Sequence, residues 1–124
     1  MVARVIPVDP FDLVVLGATG DLAQRKILPA LCRRLADGQM PPDARVIGAA
    51  RSVMTLAAFR AMVEDGLKAD HGAPTISDAE RAAFLERLDY VTVDARSDEG
   101  WSDLAALLRP DVTRAFYFSV APAL

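Results

Sequence analysis

The residues with the clearest chemical promise are Gly17-Ala18-Thr19-Gly20-Asp21-Leu22-Ala23-Gln24-Arg25-Lys26, which follow the apolar run Leu13-Val14-Val15-Leu16. An apolar run, a glycine turn and a helical segment in direct succession put the unpaired N–H groups of a helix start at the turn, a setting that suits a phosphate. Gly17 stands where the strand must reverse tightly, and Gly20 where a side chain would block the approach of a phosphate to the backbone. The spacing is Gly-x-x-Gly-x-x-Ala. It departs from the Gly-x-Gly-x-x-Gly dinucleotide fingerprint, since Thr19 follows Ala18 and small Ala23 takes the later packing position. A purely structural strand-to-helix turn accounts for these glycines equally well. A P-loop does not, because no Gly-Lys-Ser/Thr follows Gly17 at the required distance.

A second group, Ala49-Ala50-Arg51-Ser52, closes another apolar run. In dinucleotide-binding folds this point meets the adenosine ribose, where a carboxylate accepts from the 2′-hydroxyl. Here the forked guanidinium of Arg51 and the hydroxyl of Ser52 stand instead, chemistry that suits a 2′-phosphate and favours NADP over NAD. Taken alone, Arg51 also reads as a solvated loop arginine. The single histidine, His71, falls in Asp70-His71-Gly72 at a helix end, where interaction with terminal carbonyls is a better reading than catalysis. No metal site is expected.

The elements that must position these groups alternate along the chain. Leu13 to Leu16, Ala44 to Ala50, Tyr90 to Val93 and Arg114 to Val120 read as strands, the first with the continuous apolar run of a strand covered on both faces. Apolar residues at three- and four-residue steps predict a helix from Asp21 to about Ala36, distorted near Pro29, where an interior proline costs about 3 kcal/mol. Thr55 to Ala69 has the same spacing. Ser77-Asp78-Ala79-Glu80 forms a capping box for a helix running to about Leu88. Ser97 or Asp98 is expected to cap a last helix, carrying Trp101, Leu104, Leu107 and Leu108 and stopping before Pro110. The order βαβααβαβ predicts an α/β fold with a parallel sheet wrapped by helices. The fourth strand should leave one sheet edge and its apolar cover exposed, an aggregation risk.

At 124 residues the chain has the size of one domain, with 52% hydrophobic and 25% charged residues, as in soluble globular proteins. No apolar run approaches the roughly 20 residues of a membrane helix. The first nine residues lack the apolar core of a secretory signal. The single cysteine, Cys32, cannot form an intrachain disulfide and fits a reducing compartment, so a cytoplasmic location is expected. The net charge of −3 is spread over both signs without a basic stripe, which argues against a nucleic-acid partner.

Gly17-Ala-Thr-Gly-Asp-Leu-Ala-Gln-Arg-Lys-Ile-Leu-Pro-Ala-Leu31, then Val46-Ile-Gly-Ala-Ala-Arg-Ser52, then Phe116-Tyr-Phe-Ser-Val-Ala-Pro122 together resemble the N-terminal coenzyme domain of the glucose-6-phosphate dehydrogenase family. Pro29 belongs to that family's string as well. The resemblance implies a Rossmann-type doubly wound parallel sheet, here partial at about four strands. It implies NADP as cofactor and oxidation of glucose 6-phosphate to the 6-phosphogluconolactone at the entry of the pentose phosphate pathway. Carried over by position, Gly17, Ala18, Thr19, Gly20, Asp21 and Leu22 would form the pyrophosphate loop, with Thr19, Arg51 and Ser52 around the 2′-phosphate. Lys26 would stand at the substrate edge, and Asp94 and Ala95 near the adenine and ribose. Each has a plainer reading: Asp21 as a helix-start acid, Lys26 as a surface lysine, Asp94 as a turn cap. Ala121-Pro122 stands where many members of the family have Pro-Pro and some have Ala-Pro, a departure of little consequence.

The family's base, a histidine in an Arg-x-Asp-His-Tyr-like segment, its Glu-Lys-Pro motif and its large antiparallel-sheet domain are not matched in these residues. A cofactor-holding domain without turnover of its own is therefore expected, with a homo-oligomer only where the further domain is present. A non-catalytic nucleotide-binding module or an inert fragment is the competing reading. A short-chain dehydrogenase is disfavoured, since neither Tyr90 nor Tyr117 has a lysine four residues on.

Overall fold

The computed structural model describes residues 11–41, 43–70, 75–94, 98 and 100–118. Strands β1 (Phe11–Leu16), β2 (Arg45–Ala50), β3 (Leu88–Thr92) and β4 (Thr113–Phe118) form one parallel sheet in the order β3-β2-β1-β4. Three of the expected helices become α2 (Leu56–Ala69), α3 (Asp78–Leu85) and α4 (Trp101–Leu107). The first is a π-helical stretch, Ala23–Ile27, that continues as α1 (Leu28–Ala36). The chain thus follows the βαβααβαβ order and wraps both faces of its sheet.

Side-chain alternation along the strands makes the two faces. Val15, Val46 and Leu88 point to a core shared with Ile27, Leu28, Cys32, Phe59, Val63 and Phe84 from the first three helices. Val14, Leu16, Ile47, Ala49 and Val91 point the other way, under Leu104, Leu108 and half-buried Trp101. Among the described residues β4 pairs only with β1 and is exposed along its length, Phe118 to 68%. Among the described residues, the exposed apolar edge expected from the sequence is present.

The distortion attributed to Pro29 falls just upstream of it. The Leu28 N–H donates to the Ala23 carbonyl, five residues back, and Pro29, the second residue of α1, lacks the N–H that would continue the ladder. A proline ring collides with the carbonyl four residues before it, here that of Arg25, and the wider π turn opens that spacing.

Two expected boundaries are corrected. The third helix ends at Leu85 rather than Leu88, because Leu88 pairs with Val46 and opens β3, which ends at Thr92. Its apolar side chain satisfies either pattern, and strand pairing decides. Asp98 does not cap the last helix: Gly100, at φ +84°, is the residue before its first turn, and no side chain caps it. Ser97 lies outside the described residues. The capping box is present, with Ser77 Oγ accepting from the Glu80 N–H at 3.1 Å and Glu80 Oε1 from the Ser77 N–H at 2.9 Å. Thr55 caps α2 by accepting from the Ala58 N–H at 3.0 Å.

One polar cluster crosses the end of the sheet where the strands begin. Asp12, fully buried on β1, accepts from Arg45 Nε at 3.1 Å, from Arg109 Nε at 3.0 Å and from the Arg109 backbone N–H at 2.8 Å. Arg45 also reaches Asp89 of β3 at 3.2 Å. The clamp joins β1, β2, β3 and the segment leading into β4. Burial alone would push the Asp12 carboxyl up, but the Arg45 and Arg109 hydrogen bonds outweigh it and hold it at about 2.

Candidate dinucleotide site

The strands run parallel, so their C-terminal ends share one edge, and the sheet order reverses direction between β1 and β4. In open α/β sheets a ligand binds outside the carboxyl ends of the strands at such a switch point. The Gly17 loop leaves β1 there. Gly17, at φ +80°, donates its N–H to the Ala49 carbonyl at 2.8 Å, and the Ala18 N–H donates to the same oxygen at 3.2 Å. Left-handed backbone of this kind costs a residue with a Cβ about 1 kcal/mol or more, which accounts for glycine.

The loop then tightens. The Gly20 N–H donates to the Gly17 carbonyl at 3.0 Å, and the Gln24 N–H to the Gly20 carbonyl at 3.1 Å. That last bond is the first i→i−4 bond of the helix, so the amides of Asp21, Leu22 and Ala23 form its orphan first turn. Gln24 Nε2 donates to the Ala18 carbonyl at 2.7 Å and fixes the loop from inside. Gly20 is exposed, and a Cβ there would stand 3.2 Å from the Gly17 carbonyl oxygen. This donor set, with no carboxylate on Gly17 to Gly20, fits a pyrophosphate.

Arg51 and Ser52 follow β2 at the same edge and are both exposed. Arg51 is two residues beyond Ala49, whose carbonyl holds the loop, so the structure brings the two sequence groups together. Asp94 joins them from β3, because the Val93 N–H donates to the Ala50 carbonyl at 2.8 Å. Asp21 is exposed and pairs with Arg25 at 3.3 Å, as its helix-start reading requires. Lys26 lies farther along the helix, exposed, in a cleft of about 380 Å³ with Gln24, Arg25, Gly66, Ala69 and Asp70. Ala95, His71 and Ala121-Pro122 lie outside the described residues. Among the described residues no cluster of metal-ligating side chains is present, and no helix is long and apolar enough to cross a membrane.

A family model described as the NAD-binding domain of glucose-6-phosphate dehydrogenase matches residues 14–124. The chain belongs to the glucose-6-phosphate dehydrogenase family. Its sequence is 47% identical to the glucose-6-phosphate 1-dehydrogenase of Rhizobium meliloti over all of this chain and 26% of the relative. The fold matches the crystal structure of the Mycobacterium avium glucose-6-phosphate 1-dehydrogenase with a TM-score of 0.81 at 27% identity, over 93% of this chain and 24% of that one. A structure of glucose-6-phosphate dehydrogenase in complex with its substrate glucose 6-phosphate matches with a TM-score of 0.76 at 30% identity, over 93% of this chain and 25% of that chain. The chain therefore spans about a quarter of the length of the family members it matches, the quarter that carries their dinucleotide-binding domain.

Sequence reasoning missed the groups that hold this family's loop region in place here. Tyr90 donates from its hydroxyl to the Ser52 carbonyl at 2.5 Å, and Thr92 Oγ1 donates to the same oxygen at 3.3 Å. The Tyr90 ring rests against Phe59, centroids 4.8 Å apart. Phe59 in turn fills the space above Gly48, where a Cβ would meet its ring at 2.4 Å and the Ala18 Cβ at 3.1 Å. A glycine inside an apolar strand run was the available signal for that close approach.

Proposed function

We propose that this chain is the NADP-holding domain of a glucose-6-phosphate dehydrogenase, and that the whole protein oxidises glucose 6-phosphate to its lactone in carbohydrate metabolism. The observation that carries the cofactor choice is the placement of Arg51. It follows β2 beside the Gly17 loop, at the position where a carboxylate would select the 2′-hydroxyl of NAD, and it brings a cation instead. In this reading Gly17 to Leu22 cradle the pyrophosphate, Thr19, Arg51 and Ser52 surround the 2′-phosphate, and Asp94 with Ala95 borders the adenosine. Lys26 faces the substrate side. The cofactor, when bound, accepts the hydride from C1 of the sugar, and the C1 hydroxyl proton requires a base that we do not assign to any residue of this chain.

The glucose-6-phosphate dehydrogenase solved in complex with glucose 6-phosphate, 30% identical to this chain, supports the substrate. The single buried cysteine, left as a free thiol, is consistent with the cytoplasm. The test is Arg51→Ala. NADP affinity should fall by about tenfold or more, the size expected for losing a charge-assisted contact to phosphate, while NAD affinity changes little. Equal losses for the two cofactors, measured by calorimetric titration, would refute the 2′-phosphate role. Absence of binding to either would refute the dinucleotide reading altogether.

A further inference from the structure

Arg51 and Ser52 lie on an exposed bend, and the hold on that bend comes from β3. Two hydroxyls converge on one oxygen: Tyr90 donates to the Ser52 carbonyl at 2.5 Å and Thr92 at 3.3 Å, with a weaker contact from Tyr90 to the Ala50 carbonyl at 3.4 Å. These carbonyls flank Arg51 in the chain. Tyr90 is fixed in turn, since it stands beside Gly48 in the sheet register and its ring packs on fully buried Phe59. A rigid strand thus reaches past the end of β2 to set the backbone on both sides of an otherwise exposed cation.

We infer that Tyr90, assisted by Thr92, is a positioning residue for cofactor discrimination, holding the Arg51–Ser52 bend where its side chains meet the 2′-phosphate of a phosphorylated dinucleotide. The inference rests on the proposed 2′-phosphate role of Arg51. It assigns to β3 a part in choosing between two cofactors that differ only at that group, although neither Tyr90 nor Thr92 need touch either of them. Removing the hydroxyl frees the bend without removing a charge, so pyrophosphate binding through the Gly17 loop is left intact. Burial pushes the Tyr90 phenol up, which keeps it a hydrogen-bond donor across the physiological range.

The test is Tyr90→Phe, which keeps the ring on Phe59 and deletes only the hydroxyl, with Thr92→Val in parallel as a variant of similar volume. NADP and NAD dissociation constants are measured calorimetrically on the chain, alone and in an Arg51→Ala background, beside melting temperatures. Tyr90→Phe should weaken NADP by up to about fivefold, the limit set by one net hydrogen bond's worth of positioning, and NAD by less than about twofold. In the Arg51→Ala background the same change should cost NADP clearly less than in the parent, because only the Ser52 hydroxyl is left on the bend to be positioned. Thr92→Val should shift the ratio in the same direction by less, and it carries the test if Tyr90→Phe fails to fold. Equal losses for both cofactors would mean a general structural role and overturn the inference, as would an unchanged ratio in both variants. A flat response to Arg51→Ala by itself would overturn the 2′-phosphate reading and this inference with it, and that single variant separates the two failures.

Discussion

Replacing Gly48 by alanine tests how tightly the dinucleotide edge is coupled to the core beneath it. The new Cβ would lie 2.4 Å from Phe59 Cζ, 2.8 Å from Phe59 Cε2 and 3.1 Å from the Ala18 Cβ. Comfortable carbon contacts begin near 3.5 Å, so the Phe59 ring must retreat by about 1 Å. It has little room to do so, being fully buried and backed by Tyr90. Overpacking of this kind costs about 1–3 kcal/mol, against which alanine in a strand recovers about 0.5–1 kcal/mol of backbone entropy relative to glycine. The expected net loss is about 1–2 kcal/mol, read as a lower urea midpoint with an unchanged slope. The displaced ring pushes on Tyr90 and the added methyl on Ala18, so affinity for NADP should fall as well. A Phe59→Leu change in the same chain makes space and should restore part of both losses. If Gly48→Ala is as stable as the parent, or if Phe59→Leu fails to relieve it, the steric account is wrong.

The Asp12 clamp makes stability sensitive to acid. Its carboxyl falls from 3.8 to about 2 on folding, so its contribution is fully present above 3.8 and is lost as pH falls through 2; at 1.36 kcal/mol per pH unit it amounts to about 2 kcal/mol. Asp12→Asn should remove about that much at neutral pH and flatten the acid limb of a stability-against-pH curve; an unchanged acid limb would refute the clamp. Cys32 is fully buried, and burial, with Glu80 nearby, pushes its thiol up to about 11. Thiol reagents should therefore modify it only as fast as the chain unfolds, and rapid labelling under native conditions would contradict that burial.

Much of the fold is legible in the sequence because local signals and tertiary packing agree there. The apolar run ending at Leu16, the Ser77 capping box and the three- and four-residue steps of α2 each carry their own physical cause, and the structure keeps them. Disagreement arises where one residue fits two patterns. Leu88 serves equally as the last apolar residue of a helix or the first of a strand, and only its pairing with Val46 decides. At the last helix a positive-φ glycine replaces the side-chain cap that Asp98 had suggested. In the proposed site, the Gly17 loop and Arg51 can be singled out from the sequence because the chemistry that suggests them is local. Tyr90, Thr92 and Gln24 are not, since each acts on a backbone carbonyl whose position depends on folding. The same holds for Asp12, Arg45 and Arg109, scattered polar residues without periodicity until the sheet gathers them.

The strand order β3-β2-β1-β4 also bears on how the chain is made. β1 is synthesised first, β2 adds to one side of it, β3 adds outside β2, and β4 adds to the free side of β1. At no stage must a new strand be inserted between two already paired, so the sheet can grow as the chain leaves the ribosome, N-terminal segments first. The backbone hydrogen bonds of the Gly17 loop run to the Ala49 carbonyl and to its own helix start, both made before β3. The Gly17 loop is therefore able to reach its final form before β3 is made, and the strand that holds the Arg51–Ser52 bend arrives after it.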